Sequence, residues 1–150
     1  MTAHYTALAK TTPPQLPRAI ARESLQRRLA ALPTRALWLH GAPGSGKSVL
    51  IGMTVASHRQ PFLWYRLGAE DQEPARFFAG LTQAAAACTG RRRPKLPAYH
   101  ADQELDVATF AREFFAGLLS FLPVGTAVVL DDVHHLTRTE GMAEALAALI

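Results

Sequence analysis

The 150-residue chain has one cysteine, no long apolar run and almost no negative charge in its first half. With Cys88 as its single thiol it cannot form an internal disulfide, which excludes the disulfide-stapled secreted scaffolds. No stretch approaches the roughly 18 consecutive apolar residues that a membrane helix needs. The first 17 residues lack the apolar segment of a secretory signal. These absences predict a cytoplasmic protein without membrane contact.

The composition that is present is that of a globular chain. Apolar residues make up 49% of the sequence and charged residues 19%, which is enough for one domain with its own core. Residues 1–66 hold nine Lys and Arg against one acid, a balance of +8, whereas residues 67–150 hold seven against eleven, a balance of −4. The basic half carries no helix-turn-helix, zinc or aromatic-basic pattern, so direct nucleic-acid binding is not expected.

One eight-residue stretch, from Gly41 to Ser48, matches the phosphate-binding P-loop pattern G-x-x-x-x-G-K-[ST]. Glycines at 41, 44 and 46 are predicted to permit positive φ, so that backbone N–H groups can surround a phosphate. Lys47 would place a cation on the β- and γ-phosphates, and the Ser48 hydroxyl would bind Mg²⁺. We therefore expect ATP and Mg²⁺ as ligands. The residues predicted to hold the nucleotide are Gly41, Ala42, Pro43, Gly44, Ser45, Gly46, Lys47, Ser48 and Val49.

Strand and helix patterns alternate along the chain, which predicts an α/β fold with a parallel sheet. After a flexible lead-in over residues 1–17, the predicted helices cover residues 18–32 and 48–58, begin at Pro74, cover 106–122, and begin again near 139. The predicted strands cover residues 36–40, 62–67 and 126–131. The basic run Arg91-Arg92-Arg93 is expected in a solvated loop. Ligands of such folds bind at the carboxyl ends of the strands, where both the P-loop and the last strand's acids fall.

Two acids, Asp131 and Asp132, end the last predicted strand. Opposite Ser48, Asp131 is predicted to hold Mg²⁺ directly or through water. Asp132 is predicted to polarise an attacking water, which would make Lys47 and Asp132 the catalytic residues. His134 and His135 follow at once, but a metal site would need more ligands at matched spacing.

These stretches together resemble a known family. They are, in order, Leu16-Pro17-Arg18, Arg27-Arg28-Leu29, the P-loop, Trp64-Tyr65-Arg66-Leu67, Asp71-Gln72-Glu73-Pro74-Ala75-Arg76-Phe77-Phe78 and Leu130-Asp131-Asp132-Val133-His134-His135-Leu136. The chain resembles, over about residues 16–150, the ATPase module of the large LuxR-type, ATP-dependent bacterial transcription activators related to the maltose regulator. These activators belong to the signal-transduction ATPases with numerous domains. Ser45 departs from the family, which usually has an aromatic residue there.

The resemblance implies a regulatory switch with a P-loop NTPase fold of three α/β/α layers. ATP binding would favour a self-associating active state, and slow hydrolysis would reset it. DNA would be bound only by a domain outside these 150 residues. The resemblance also implies a further strand between the P-loop strand and the strand that ends in Asp131. We therefore expect residues 18–150 to be the N-terminal part of the ATPase domain, with the sheet incomplete at the C-terminus.

Two other functions are compatible with the motifs. Nucleotide and metabolite kinases have similar P-loops, and Arg91-Arg92-Arg93 could serve as a lid, although nothing in the sequence marks an acceptor site. An inactive interaction fragment could also retain the motifs without closing its site.

Overall fold

The computed structural model describes residues 9–14, 20, 22–32, 36–90, 94–100, 106–136 and 141–149. In this part of the chain, residues 9–11 are helical, and a short 3₁₀ turn follows each strand, at Ala69–Gln72 and at Val133–His135. The longer helices are α1 (Glu23–Ala30), α2 (Lys47–Ser57), α3 (Pro74–Thr89), α4 (Val107–Phe121) and α5 (Met142–Ala147), and the strands are β1 (Phe62–Arg66) and β2 (Ala127–Asp131).

The two strands form a small parallel sheet, in which Phe62 lies opposite Ala127 and Arg66 opposite Asp131. Helices α3 and α4 lie between the strands in the chain, as a parallel pair requires, because its connection must run back along the sheet. The fold is therefore mixed α/β, mostly helical, with a two-strand parallel sheet packed against helices. The predicted α/β class is therefore confirmed, as are the strands predicted over residues 62–67 and 126–131.

The prediction of a buried strand over residues 36–40 is wrong for this structure. These residues have no regular secondary structure, and the Leu37 and Trp38 side chains are 47% and 66% exposed. A strand needs a neighbour to satisfy its backbone N–H and C=O groups, and within the described residues β1 and β2 pair with each other only. The further strand that the resemblance implies between residues 36–40 and β2 stays a prediction.

One face of the sheet packs on α3 and α4 to form the core. Leu63, Tyr65 and Leu67 are buried there, against five buried phenylalanines: Phe77, Phe78, Phe110, Phe114 and Phe115. The Phe78 ring is at the centre, with its centroid 4.8 Å from those of Phe110 and Phe114. Such ring pairs contribute about 0.5–1.5 kcal/mol beyond the burial of their area. The prediction that the α4 aromatics are core residues is confirmed.

The opposite face of β1 is turned toward α2. A Cβ added to Gly52 of α2 would lie 4.0 Å from the ring of Trp64, which is 2% exposed. The Trp64 indole N–H is buried and has no hydrogen-bond partner among the described residues. Since side chains alternate along a strand, Arg66 shares this face with Trp64. Arg66 and its register partner Asp131 therefore lie on the side of the sheet that carries the P-loop helix.

The N-terminal part departs from its prediction in two ways. Helix α1 is shorter than the predicted 18–32 and buries none of its residues, and Ile20, assigned to its apolar stripe, lies outside the helix and is 88% exposed. Of the predicted flexible lead-in, residues 9–14 are described: Lys10 is ion-paired, and Pro13 packs against Gly52. In the described part of the chain no helix is long and apolar enough to cross a membrane.

Candidate functional site

The P-loop turns sharply into α2 through two glycines in the left-handed region. Gly44 has a φ of 74°, and Gly46, the residue that caps α2, has a φ of 82°. These angles are natural for glycine and strained for residues with a Cβ. The same prediction for Gly41 is wrong, since its φ is not positive. A Cβ on Gly41 would lie 3.2 Å from the Ser45 hydroxyl, a tight contact that a small shift of the exposed Ser45 side chain would relieve.

The Lys47 side chain folds back over this loop. Its ammonium group donates hydrogen bonds to the carbonyl oxygens of Gly41, at 2.8 Å, and Ala42, at 3.0 Å. An ammonium group has three donors and binds charged acceptors more strongly than neutral carbonyls. Lys47 thus holds a positive charge at the loop that the sequence assigns to phosphate. Residues 41–45 of the loop are exposed and accessible to a ligand.

The P-loop helix meets the acidic end of β2 at one hydrogen bond. The hydroxyl of Ser48, the second residue of α2, donates to Oδ1 of Asp131, the last residue of β2, at 2.7 Å. The two residues are 83 positions apart in the chain, and they were predicted as the metal ligands. The Asp131 side chain is 11% exposed, so burial and hydrogen bonds fix its position.

The pair of oxygen atoms from Ser48 and Asp131 is chemically suited to Mg²⁺. This hard cation prefers oxygen ligands and usually takes one or two from the protein, with phosphate and water oxygens completing the octahedron. No group of three or more His, Cys, Asp or Glu side chains gathers as a metal site within the described residues. His134 and His135 stack with ring centroids 4.2 Å apart but belong to no such group. The donor set therefore suits Mg²⁺ held jointly with a phosphate ligand better than a metal held by protein alone.

Asp132 lies beside Asp131 but is oriented differently. Its backbone is in the left-handed region, with φ 60° and ψ 38°, and it caps the 3₁₀ turn after β2. Its N–H donates to Asp131 Oδ1 at 3.1 Å. The residue is exposed, and its carboxylate makes no hydrogen bond or ion pair within the described part of the chain. Asp132 is therefore accessible, and its predicted role toward water stays a prediction.

Two arginines near the site were not assigned to it from the sequence. Arg66 ends β1 as Asp131 ends β2, and its Nε lies 3.5 Å from Asp131 Oδ2. Arg22, just before α1, has a guanidinium nitrogen 3.7 Å from the position of a Cβ on Gly46. The signal for Arg66 was its place at a strand's carboxyl end. For Arg22 the sequence has no comparable signal, because the contact depends on how α1 packs on α2.

A second polar cluster lies in the loop after β1, whose role the sequence left open. Asp71 is 1% exposed and accepts three hydrogen bonds: from the Tyr65 hydroxyl at 2.6 Å, the Gly68 N–H at 2.7 Å and the Lys10 ammonium at 2.6 Å. Lys10 also pairs with Glu70 at 2.5 Å. The cluster thus fastens residues 9–14 to the loop after β1, a link that connects distant parts of the chain.

Burial and hydrogen bonding shift the pKa values in this cluster. Burial, followed by the bond to Asp71, raises the pKa of the Tyr65 phenol. Burial alone would lower the Lys10 pKa, but hydrogen bonds to Asp71 and Glu70 outweigh it and raise the pKa. The bond from Lys10 lowers the pKa of Glu70. Lys10 and Glu70 are therefore held charged, and Tyr65 is held neutral.

Two further features of the sequence are the lone cysteine and the basic run after α3. Cys88 is partly buried against the core, and burial raises its thiol pKa, opposite to a reactive cysteine. The basic run over residues 91–93 lies outside the described residues. Comparisons with protein-family models, with curated proteins and with solved structures found no match.

Proposed function

We propose that this chain is a nucleotide-binding switch module: a P-loop domain that binds ATP with Mg²⁺ and hydrolyses it slowly. The observation that carries the proposal is the 2.7 Å hydrogen bond between Ser48 and Asp131. It joins the first turn of the P-loop helix to the acidic end of a parallel strand. A Gly-rich turn with no ligand would have no need of a carboxylate from a distant strand beside its serine.

Each residue of the site has a distinct part in binding. The backbone of the loop, opened by Gly44 and Gly46, surrounds the phosphates, aided by the positive end of the α2 dipole. Lys47 exchanges its carbonyl acceptors for phosphate oxygens, which attract its charge more strongly. Ser48 and Asp131 would hold Mg²⁺, which neutralises phosphate charge and orients the terminal phosphate.

The proposed hydrolysis depends on Asp132. Its carboxylate is exposed and follows β2 on a left-handed backbone, so it is available to accept a proton from water or to orient it. Aspartate is one methylene shorter than glutamate, which makes the geometry of such a base demanding. Slow turnover therefore suits a module whose active state lasts until its bound ATP is hydrolysed.

The finer architecture and the cellular role belong to the same proposal. The sheet would be the edge of a three-layer α/β/α P-loop fold, and the resemblance to the LuxR-type activators supplies the regulatory context. ATP binding would promote self-association, and DNA would be bound by another domain. The low burial of β2, whose five residues are all partly exposed, supports a sheet that continues beyond the β1–β2 pair, since parallel sheets are normally covered.

The test is ATP binding by the protein and its Lys47→Ala variant, measured by isothermal titration calorimetry with Mg²⁺. Loss of the loop's ammonium should weaken binding at least about tenfold, or about 1.4 kcal/mol. Lys95→Ala is the matched control, because Lys95 is an exposed lysine in the segment after α3, and it should bind as the wild type does. Equal affinities of wild type and Lys47→Ala, or no ATP binding by wild type, would refute the proposal.

A further inference from the structure

Arg66 lies beside Asp131 at the candidate site. It is the register partner of Asp131 across the sheet, and both residues end their strands at the same edge. The Arg66 Nε lies 3.5 Å from Asp131 Oδ2. The other carboxylate oxygen, Oδ1, accepts from the Ser48 hydroxyl and from a backbone N–H. Both oxygens of the Asp131 carboxylate therefore have partners.

The charges in this arrangement are balanced. The Asp131 side chain is 11% exposed, so its negative charge is shielded from water and needs a nearby cation. Arg66 is that cation, and its side chain is 38% exposed, which leaves its long stem room to turn toward solvent. The carboxylate is thus fixed by its surroundings, whereas the guanidinium has another place to go.

A Mg²⁺ ion held by Ser48 and Asp131 would bring two further positive charges to the same carboxylate. Charges of equal sign a few ångströms apart in a partly buried site repel strongly. Mg²⁺ and the guanidinium would therefore compete for Asp131. The P-loop motif gives no reason for an arginine at this position.

We propose that Arg66 is the counter-ion of Asp131 and that Mg²⁺ must displace the Arg66 guanidinium in order to bind. Arg66 thereby sets how strongly the affinity for ATP depends on Mg²⁺. This inference rests on the proposed function, because it concerns the same site. Without Mg²⁺, Arg66 neutralises Asp131. When Mg²⁺ and ATP bind, the guanidinium turns outward, and that displacement weakens metal binding.

The experiment measures the dissociation constant of ATP twice, in excess EDTA and in saturating Mg²⁺, by calorimetry on the full chain. The dissociation constant in EDTA divided by the dissociation constant in Mg²⁺ reports how strongly Mg²⁺ and ATP assist each other's binding. Arg66→Gln removes the competing charge and should raise this ratio about tenfold through tighter binding in Mg²⁺. The affinity in EDTA should change by less than about threefold. Arg66→Met is a second variant without the positive charge. If only one of the two variants folds, as shown by cooperative melting, that variant is sufficient for the test.

Two controls separate this effect from a general change of charge or structure. Arg76→Gln makes the same substitution at an exposed arginine of α3 that pairs with Glu73 at 2.7 Å, and it should keep the wild-type ratio. Arg66→Lys retains the positive charge and should stay within about threefold of the wild-type ratio. Thermal melting of each variant confirms that it is folded.

The outcomes are distinct. An unchanged ratio in the charge-free variants would overturn the inference while leaving the proposed function intact. A ratio that rises only because ATP binds more weakly in EDTA would also overturn it, since Arg66 would then be a phosphate ligand. An equal rise in Arg66→Lys and Arg66→Gln would show that charge is not the cause. If wild type binds no ATP in either condition, the proposed function fails and this inference fails with it.

Discussion

Replacing Asp71, which is 1% exposed, with alanine removes the acceptor of three hydrogen bonds. The Tyr65 hydroxyl and the Gly68 N–H would each lose a partner at 2.6 and 2.7 Å. Lys10, whose side chain is 20% exposed, would lose the more buried of its two carboxylate partners. The variant therefore leaves a buried hydroxyl without its acceptor and leaves the Lys10 ammonium group with only the exposed carboxylate of Glu70.

The magnitude follows from the burial of the partners. A hydrogen bond to a charged group contributes about 1.5–3 kcal/mol, but bonds that share one acceptor are not additive. Removing one partner of a buried ion pair costs about 3–5 kcal/mol, and here Lys10 would keep only the exposed Glu70 as its partner. We expect Asp71→Ala to lower the free energy of unfolding by about 3–5 kcal/mol, a large part of the roughly 5–15 kcal/mol of a typical domain.

Urea denaturation followed by circular dichroism measures this loss. Glu70→Gln is the matched comparison, since Glu70 pairs with the same ammonium but its side chain is 44% exposed; the expected loss is about 0–1 kcal/mol. A loss below about 1 kcal/mol in Asp71→Ala, or equal losses in the two variants, would refute the view that this buried cluster fastens residues 9–14 to the fold.

Three further predictions concern pH, catalysis and the loop. Stability should fall as pH rises above 10.0, the ordinary tyrosine pKa. Because the pKa of Tyr65 is raised in the folded protein, the unfolded chain loses this proton at a lower pH than the folded protein does, and the raised Lys10 pKa acts with the same sign. Urea midpoints that do not fall between pH 8 and 11 would contradict this. Asp131→Asn should weaken ATP binding at least about tenfold in Mg²⁺ but not in EDTA. Asp132→Asn should bind ATP normally and hydrolyse it more slowly. Phosphate release by Asp132→Asn at the wild-type rate would exclude Asp132 as the water-polarising group. Gly46→Ala should lower the free energy of unfolding by about 1–2 kcal/mol in urea melts, since its φ of 82° strains any residue with a Cβ, and an unchanged midpoint would contradict that strain.

The contact between Ser48 and Asp131 could be predicted because each half of it is encoded locally. The P-loop pattern specifies a turn into a helix, and the apolar run before Asp131 specifies a strand that ends in acids. In a parallel α/β fold such ends lie at one edge, so long-range proximity follows from topology. The helix starts at Pro74 and after Asp106 were predictable for the same reason: proline suits a first helical position, and the Asp106 side chain caps α4 by accepting from the Thr109 N–H.

The remaining features depend on contacts that no local pattern encodes. Residues 36–40 have the composition of a buried strand, but an apolar segment becomes a strand only beside a partner. Asp71 lies in an acidic loop that composition assigns to solvent, yet it is buried and accepts a hydrogen bond from Lys10, 61 positions away. The position of Arg66 at a strand end could be read from the sequence, but its pairing with Asp131 follows only from the register of the two strands.

The contrast between Trp38 and Trp64 gives the protein two optical probes of different kinds. They are the two tryptophans of the chain, one 66% exposed three positions before the P-loop and the other 2% exposed between the sheet and α2. Indole emission shifts to longer wavelength in water, so the folded protein should emit as two populations with different colours and different access to a soluble quencher such as iodide. Quenching of the longer-wavelength emission, from Trp38, should report events near the P-loop. The shorter-wavelength emission, from Trp64, should remain until α2 separates from the sheet. A single unlabelled sample can thus distinguish ligand binding from unfolding.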